Sequence, residues 1–482
     1  MTREIFGHVI DGVEQPSSSG QTFEDVNPWT EKPWAEVALG GSAEAQAAVG
    51  ASRRAFDEGP WPRMGFAARG ILLNRLADLM VRDRELLASA DSRDMGKPLS
   101  QAVHDVDRSV LNFRFFADHA RLSHADAYPM DSGHHAYSRF DPAGVVVAIA
   151  PWNFPLMLET WKVAPALAWG NTVVLKPAED TPASATMLAR LAIEAGLPPG
   201  VFNVVHGFGP DSVGQFLTED PRVDRITFTG ESGTGRVISR AAADNLTPVS
   251  LELGGKGANI VFEDADLPNA VQWSVQAIFR NAGQVCLAGS RLFVQRSVYE
   301  EFLQRFAAAA EALVIGDPQL ETTEFSCLAS REHYEKVKSF IDSADDFGGT
   351  LVTGGVADAG LVVKPTIITG ISLSSPHYRD EIFGPVVVVH PFDTEDEAVE
   401  LANDTRYGLN AMVFTENVGR AHRVAGRLKA GTVWVNCFFI RDLRAPFGGF
   451  GDSGVGREGG VFSRDFFTEP KAVIIDIDGP TH

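Results

Sequence analysis

The chain predicts an α/β fold built on a doubly wound parallel sheet, and three observations carry that expectation. Short β-branched apolar runs recur from residue 143 onward, each bounded by turn residues. Helix-patterned segments fall between them, so strand and helix alternate as right-handed βαβ units require. At 482 residues the chain is too long for one core, and roughly two to four domains are expected.

Taken in order, "SAEAQAAVGASRRAFDEG" and "AARGILLNRLADLMVRDRELLASADSRDMG" read as amphipathic helices, and "DRSVLNFRFF" as a further one. "GVVVAIA" (144–150) is the first strand of the kind buried on both faces. "TVVLKP" (172–177), "VFNVVHG" (201–207) and "RITFTG" (225–230) repeat it. In "TPASATMLARLAIEAG" Thr181 reads as an N-cap, Pro182 as the first helical residue and Gly196 as the stop. Residues 263–311 and 376–430 show a second alternation, with "RLFVQ", "TIIT" and "VVVVHPF" as strands, which predicts a second α/β domain. "KAVIIDI" (471–477) reads as a strand with no obvious partner in its own chain. Ligands of doubly wound sheets bind at the carboxyl ends of the strands.

Composition narrows the function. A net charge of −21 argues against nucleic acid or an anionic membrane surface as partner. It also repels small anions, so an acidic substrate needs a local cationic pocket. Three cysteines, odd in number and far apart, are not a disulfide framework and suit a reducing cytoplasm. The start "MTREIFGHVIDG" lacks the apolar core of a signal peptide. No window approaches ~18 uninterrupted apolar residues, so no membrane helix is expected.

Several residues could carry chemistry. Cys286 lies in "FRNAGQVCLAGS", where Gly283 and Gly289 allow close backbone approach; it reads as a nucleophile or as a small buried hydrophobe. Asn153, in "APWNFPLM" after the first strand, reads as an oxyanion donor or as part of a capped turn. Glu252, the one charge in the strand end "SLEL", reads as a general base with a raised pKa or as a partner for Lys256. Lys176 and Glu179 in "LKPAED", and the glycines of "FTGESGTG", follow strands where a cofactor would sit. His134 and His135 are adjacent on a strand and point apart, and no metal site is argued for. Arg441 and Arg444, in "VNCFFIRDLRAPFGG" (435–449), either pair with Asp442 or await an anion.

Together the strings PWNFP, LKPAEDTP, FTGESGTG, LELGGK, GQVCLAGS, EIFGP and PFGG with SGVGREGG resemble the aldehyde dehydrogenase superfamily over nearly the whole chain. The resemblance implies a Rossmann-type NAD-binding domain (1–119 and 143–253), an α/β catalytic domain (254–452), and a small β oligomerisation arm (120–142) with its tail (453–482). It implies that Cys286 attacks a small-molecule aldehyde, that Asn153 holds the oxyanion, and that Glu252 activates the water that hydrolyses the thioester. The cofactor positions it implies are Trp152, Lys176, Glu179, Gly209, Gly230, Glu381 and Phe383. A carboxylate at Glu179 would accept a ribose hydroxyl and repel a phosphate, favouring NAD over NADP. Glu231 replaces the Ser of the common FTGS string, so no phosphate-binding role is placed on it. The resemblance also implies a homodimer or homotetramer.

FTGES and "RDLRAPFGG" are similar to one branch, the muconic semialdehyde dehydrogenases of aromatic-ring catabolism. There Arg441 and Arg108 would hold a carboxylate at the far end of a 2-hydroxymuconic or 2-aminomuconic semialdehyde. Other substrates within the superfamily are betaine aldehyde, aminobutyraldehyde and simple aliphatic or aromatic aldehydes. A catalytically silent binding relative is the reading from another class.

Overall fold

The computed structural model describes residues 4–357 and 360–477. Its first large sheet has eight strands, five of them parallel: Val145–Ile149, Thr172–Lys176, Phe202–Val204, Arg225–Thr229 and Val249–Glu252. Alternate side chains face opposite layers, as the two-residue period of a strand dictates. Val146, Ala148, Val173 and Leu175 pack with helices Phe66–Arg82, Leu99–Leu122 and Pro155–Ala168. Val147, Ile149 and Val174 pack with Ala45, Ala48 and Val49 of helix Ser42–Asp57. Both faces are covered, which explains the unbroken apolar runs.

The first of these five parallel strands along the chain, Val145–Ile149, lies between Thr172–Lys176 and Arg225–Thr229, so the sheet order reverses beside it. That switch point is where a crevice opens at the carboxyl ends, and Trp152, Asn153 and Gly230 follow those ends directly.

The second large sheet has seven strands, six of them parallel: Ala258–Val261, Arg291–Gln295, Val363–Thr369, Val386–Phe392, Asn410–Phe414 and Thr432–Val435. Thr350–Val356 runs antiparallel at one edge. Only Leu253–Gly257 separates the two sheets along the chain. The tail returns to the first sheet, where Gly454 pairs with Glu252.

Three expectations change. Helix Ala183–Ala195 begins one residue after Pro182, and the Thr181 hydroxyl does not cap it. Asp94 on the neighbouring helix accepts the Ala183 N–H at 3.1 Å instead, so the cap is supplied from outside the segment. Gly196 ends it in the left-handed region as expected, with φ 92°. The long stretch 67–96 divides at Asp83 into helices Phe66–Arg82 and Arg84–Met95. The strand covering 471–477 does find a partner in its own chain. Thr468–Asp476 pairs antiparallel with His134–Pro142, beside Ala127–Tyr128. Its outer edge carries no strand among the described residues, and Ile474 there is 61% exposed. No described helix is long and apolar enough to cross a membrane.

Candidate active site

The loop bearing Cys286 precedes strand Arg291–Gln295 of the second sheet, while Glu252 ends strand Val249–Glu252 of the first. The diglycine after Glu252 brings the two together. A Cβ on Gly255 would stand 2.4 Å from the Cys286 carbonyl oxygen, so only glycine permits this approach. Gly283 serves the same loop: it holds φ 72°, and a Cβ there would meet the Gly384 carbonyl oxygen at 2.2 Å.

Cys286 and Glu252 line one cavity, together with Arg108 and Arg441. Phe154, Trp161, Phe439 and Phe447 supply apolar walls. The Cys286 thiol is half-buried, and its pKa is pushed up to about 12 by burial and then by the Glu381 and Glu252 carboxylates. Glu252 is buried, with neither carboxyl oxygen partnered among the described residues. Burial, then the nearby Glu458 carboxylate, raises its pKa well above the ordinary value. The alternative pairing with Lys256 does not form, because the Lys256 ammonium is itself buried without a partner.

Asn153 stands behind this pair rather than on the cavity wall. Its Nδ2 donates to the Gln284 carbonyl at 2.9 Å, which leaves one amide hydrogen uncommitted. Its backbone carbonyl accepts from Lys97 Nζ and Asn281 Nδ2, each at 2.8 Å. Sequence reading missed Lys97. Its buried ammonium also pairs with Asp105 at 2.6 Å and lies 3.8 Å from the Phe154 ring centroid, fixing the turn that carries Asn153.

The arginines separate cleanly. Asp442 pairs with Arg444 at 2.7 Å on the exposed rim, as one reading of that stretch held. Arg441 does not join them. Its guanidinium is stacked 3.9 Å from both the Trp161 and Phe447 centroids, with Nε and Nη2 unpartnered among the described residues. Burial draws its pKa down to about 10, which leaves it charged at neutral pH. Arg108 reaches the same cavity from helix Leu99–Leu122. Four residues on, Asn112 anchors that helix by donating to Thr160 Oγ1 at 3.1 Å.

The cavity wall also carries a second group that the motifs did not flag, with Trp161 and Glu458 on the lining and Lys162 beside them. Trp161 Nε1 donates to Glu458 at 2.5 Å, and Lys162 Nζ reaches the same carboxylate at 3.1 Å and Thr227 Oγ1 at 3.0 Å. A lysine in the apolar helix string "WKVAPALA" was the available signal, since a buried ammonium demands an acid.

The remaining sequence candidates lie off that cavity's lining. Lys176 Nζ pairs with Glu179 at 3.0 Å at the end of strand Thr172–Lys176. Glu381 accepts the Gly255 N–H at 2.8 Å, and burial raises its pKa to about 7. Trp152, Phe383 and His333 form an aromatic cluster with centroids 5.1 to 5.9 Å apart. His333 hydrogen-bonds the Phe383 carbonyl at 2.8 Å. Gly209 lies in the loop beyond Phe202–Val204, with open space where a Cβ would project. Gly230 follows Arg225–Thr229, and the helix after it begins at Ser232, so Gly233 and Gly235 fall inside that helix.

The family profile described as "Aldehyde dehydrogenase family" matches residues 15–473. The chain belongs to that family. Among its relatives is the 2-hydroxymuconic semialdehyde dehydrogenase of Pseudomonas sp. (strain CF600), 49% identical and covering 98% of this chain and 99% of the relative. The 2-aminomuconic 6-semialdehyde dehydrogenase of Pseudomonas sp. is 45% identical, covering 98% of each. A solved betaine aldehyde dehydrogenase from Staphylococcus aureus in complex with NAD+ superposes with a TM-score of 0.96 at 37% identity, over 99% of this chain and 95% of that one.

The donor set of this aldehyde dehydrogenase fits a dinucleotide. Glu179 at one strand end and Glu381 beside Gly255 are carboxylates of the kind that can accept from ribose hydroxyls, and Lys176 is an ammonium of the kind that can donate to them. Open space at Gly209 and an aromatic cluster at Trp152 and Phe383 suit planar rings between them.

Proposed function

We propose that this aldehyde dehydrogenase oxidises a semialdehyde bearing a carboxylate at its far end, such as 2-hydroxymuconic or 2-aminomuconic semialdehyde, to the dicarboxylic acid with NAD. One observation carries the reading: Arg441 presents a charged, unpartnered guanidinium edge in the cavity that also holds Cys286 and Arg108. A guanidinium fork matches a carboxylate in two parallel hydrogen bonds. The same charge disfavours betaine aldehyde, whose trimethylammonium group Arg441 would repel. Relatives acting on muconic semialdehydes at 45–49% identity support the choice.

Glu252 takes the Cys286 proton, and the thiolate adds to the aldehyde carbon. The free amide hydrogen of Asn153 and the Cys286 N–H hold the oxyanion, each donor contributing about 3 kcal/mol. NAD, when bound, would supply the hydride acceptor, and Cys286 keeps the oxidised carbon as a thioester. Once Glu252 has released the thiol proton to solvent it is a base again: it removes a proton from water, the hydroxide adds, and the thiolate leaves. Lys176, Glu179 and Glu381 would hold the dinucleotide's riboses, Gly209 would leave room along it, Gly230 would lie beside its pyrophosphate, and Trp152 and Phe383 would flank its nicotinamide end.

The chain divides functionally into a cofactor domain (1–119 and 143–253), a catalytic domain (254–452) and an arm with its tail (120–142 and 453–482). The free edge of Thr468–Asp476 pairs two copies into a homodimer or a dimer of dimers.

Kinetics of Arg441→Ala and Arg108→Ala test the reading. Loss of a charged contact worth about 2–3 kcal/mol lowers kcat/KM on the carboxylated aldehyde by roughly 30- to 150-fold. An uncarboxylated aldehyde of similar length loses little beyond the shift of its pH profile. Equal losses on both substrates overturn the proposal.

A further inference from the structure

A second cavity is lined by Ser100, Gln101, His104, Gln276, Arg280 and Glu324. No described residue lines both this cavity and the one that holds Cys286, but two contacts bring them close. His104 and Arg108 lie one turn apart on helix Leu99–Leu122, the first on the outer cavity and the second on the inner. The Arg280 guanidinium sits 4.9 Å from the centroid of Phe439, a wall of the inner cavity.

Arg280 is poorly neutralised. Its side chain is 17% exposed, and its one ion-pair partner among the described residues is Asp105, at 3.8 Å. Asp105 already holds Lys97 at 2.6 Å. Arg280 Nε is buried without a partner. The acid on the same wall, Glu324, turns its Oε2 toward the Val314 N–H at 3.0 Å. Asp107, on the helix that carries His104, is engaged by Arg84 at 2.5 Å. Arg280 on the second cavity and Arg108 on the first therefore share the field of one acid, Asp105, which Lys97 already holds.

We infer that the outer cavity is a docking station for carboxylates, with Arg280 as its binding residue. The substrate's carboxylate rests on Arg280 before passing to Arg108 and Arg441, and the dicarboxylate product leaves by the same route. This rests on reading the inner cavity as the site of a carboxylated semialdehyde. A chain of net charge −21 repels such anions, and a local cation at a low-dielectric opening offsets that repulsion over about a Debye length, ~8 Å in physiological salt.

The test is kcat/KM of Arg280→Gln and Arg280→Lys against sodium chloride concentration, on a carboxylated and an uncarboxylated aldehyde. Arg280→Gln should lose about threefold to tenfold on the carboxylated substrate at low salt, with kcat unchanged and the deficit closing as salt rises. Arg280→Lys should keep most of the rate. An equal loss on both aldehydes, no loss, or a loss indifferent to salt overturns the inference. Calorimetry with adipate on Arg441→Ala gives a second measurement that does not depend on the folding of any Arg280 variant. Binding that weakens with salt supports the outer station, and absence of binding overturns it. If Arg441→Ala slows both aldehydes equally, the reading of the inner cavity fails. If Arg441→Ala discriminates and Arg280→Gln does not, only the outer station fails.

Discussion

Cys286 and Glu252 hold their protons more tightly than free side chains do, for the same reason: each is buried, and each faces other carboxylates. Both must be deprotonated to act, so kcat/KM climbs from neutral pH into the alkaline range. Arg441 is the cation that lowers both pKa values. Removing it in Arg441→Ala should therefore move the rising limb to higher pH, even on an uncarboxylated aldehyde; a limb that stays in place denies the coupling. Glu252→Gln separates the two halves of the reaction. A first turnover of NADH should persist on premixing at alkaline pH, where the thiol ionises unaided, while steady-state turnover falls by about 10²- to 10⁴-fold. Cys286, Glu252 and Arg441 drew notice as chemically costly residues in largely apolar strings, whereas Arg108 came only from the resemblance to the muconic semialdehyde branch. Lys97 and Glu458 were not legible: Asp105 lies only eight residues from Lys97 and Lys162 lies 296 from Glu458, and in both cases only the fold shows that the pair is buried.

At the scale of elements, helix Pro155–Ala168 shows what its sequence string concealed. Glu159 is 1% exposed, with both oxygens unpartnered among the described residues, and Asp91 beside it is itself pushed up to about 6. Burial raises the Glu159 pKa well above the ordinary value. The sign follows: a carboxyl that keeps its proton in the fold contributes stability below the unfolded pKa, and that contribution is lost as pH rises toward the folded one. Glu159→Gln removes the loss. Its melting temperature should match the native chain's near pH 5 and exceed it near pH 8, by an amount equivalent to roughly 1–2 kcal/mol. A constant difference across that range would rule out the account. The strands of both sheets were legible because full burial leaves continuous apolar runs. The cap of helix Ala183–Ala195 was not, because Asp94 supplies it from another element.

At the scale of the molecule, the alternating pattern predicted two α/β halves, and the structure contains two large, mainly parallel sheets joined by five residues, Leu253–Gly257. The strand covering 471–477 was legible as a strand but not as a partner of His134–Pro142, because nothing local records a pairing across more than 300 residues. Its exposed edge yields an assembly prediction: Ile474→Lys should shift the mass seen by light scattering toward the monomer, and an unchanged mass would exclude this edge as the contact. The cradle around Arg441 has a practical consequence as well. A guanidinium stacked 3.9 Å from the Trp161 centroid sets the electric field across that indole, and an arriving anion reverses part of it. Intrinsic emission therefore reports occupancy without a label, and Trp161→Phe should silence the signal.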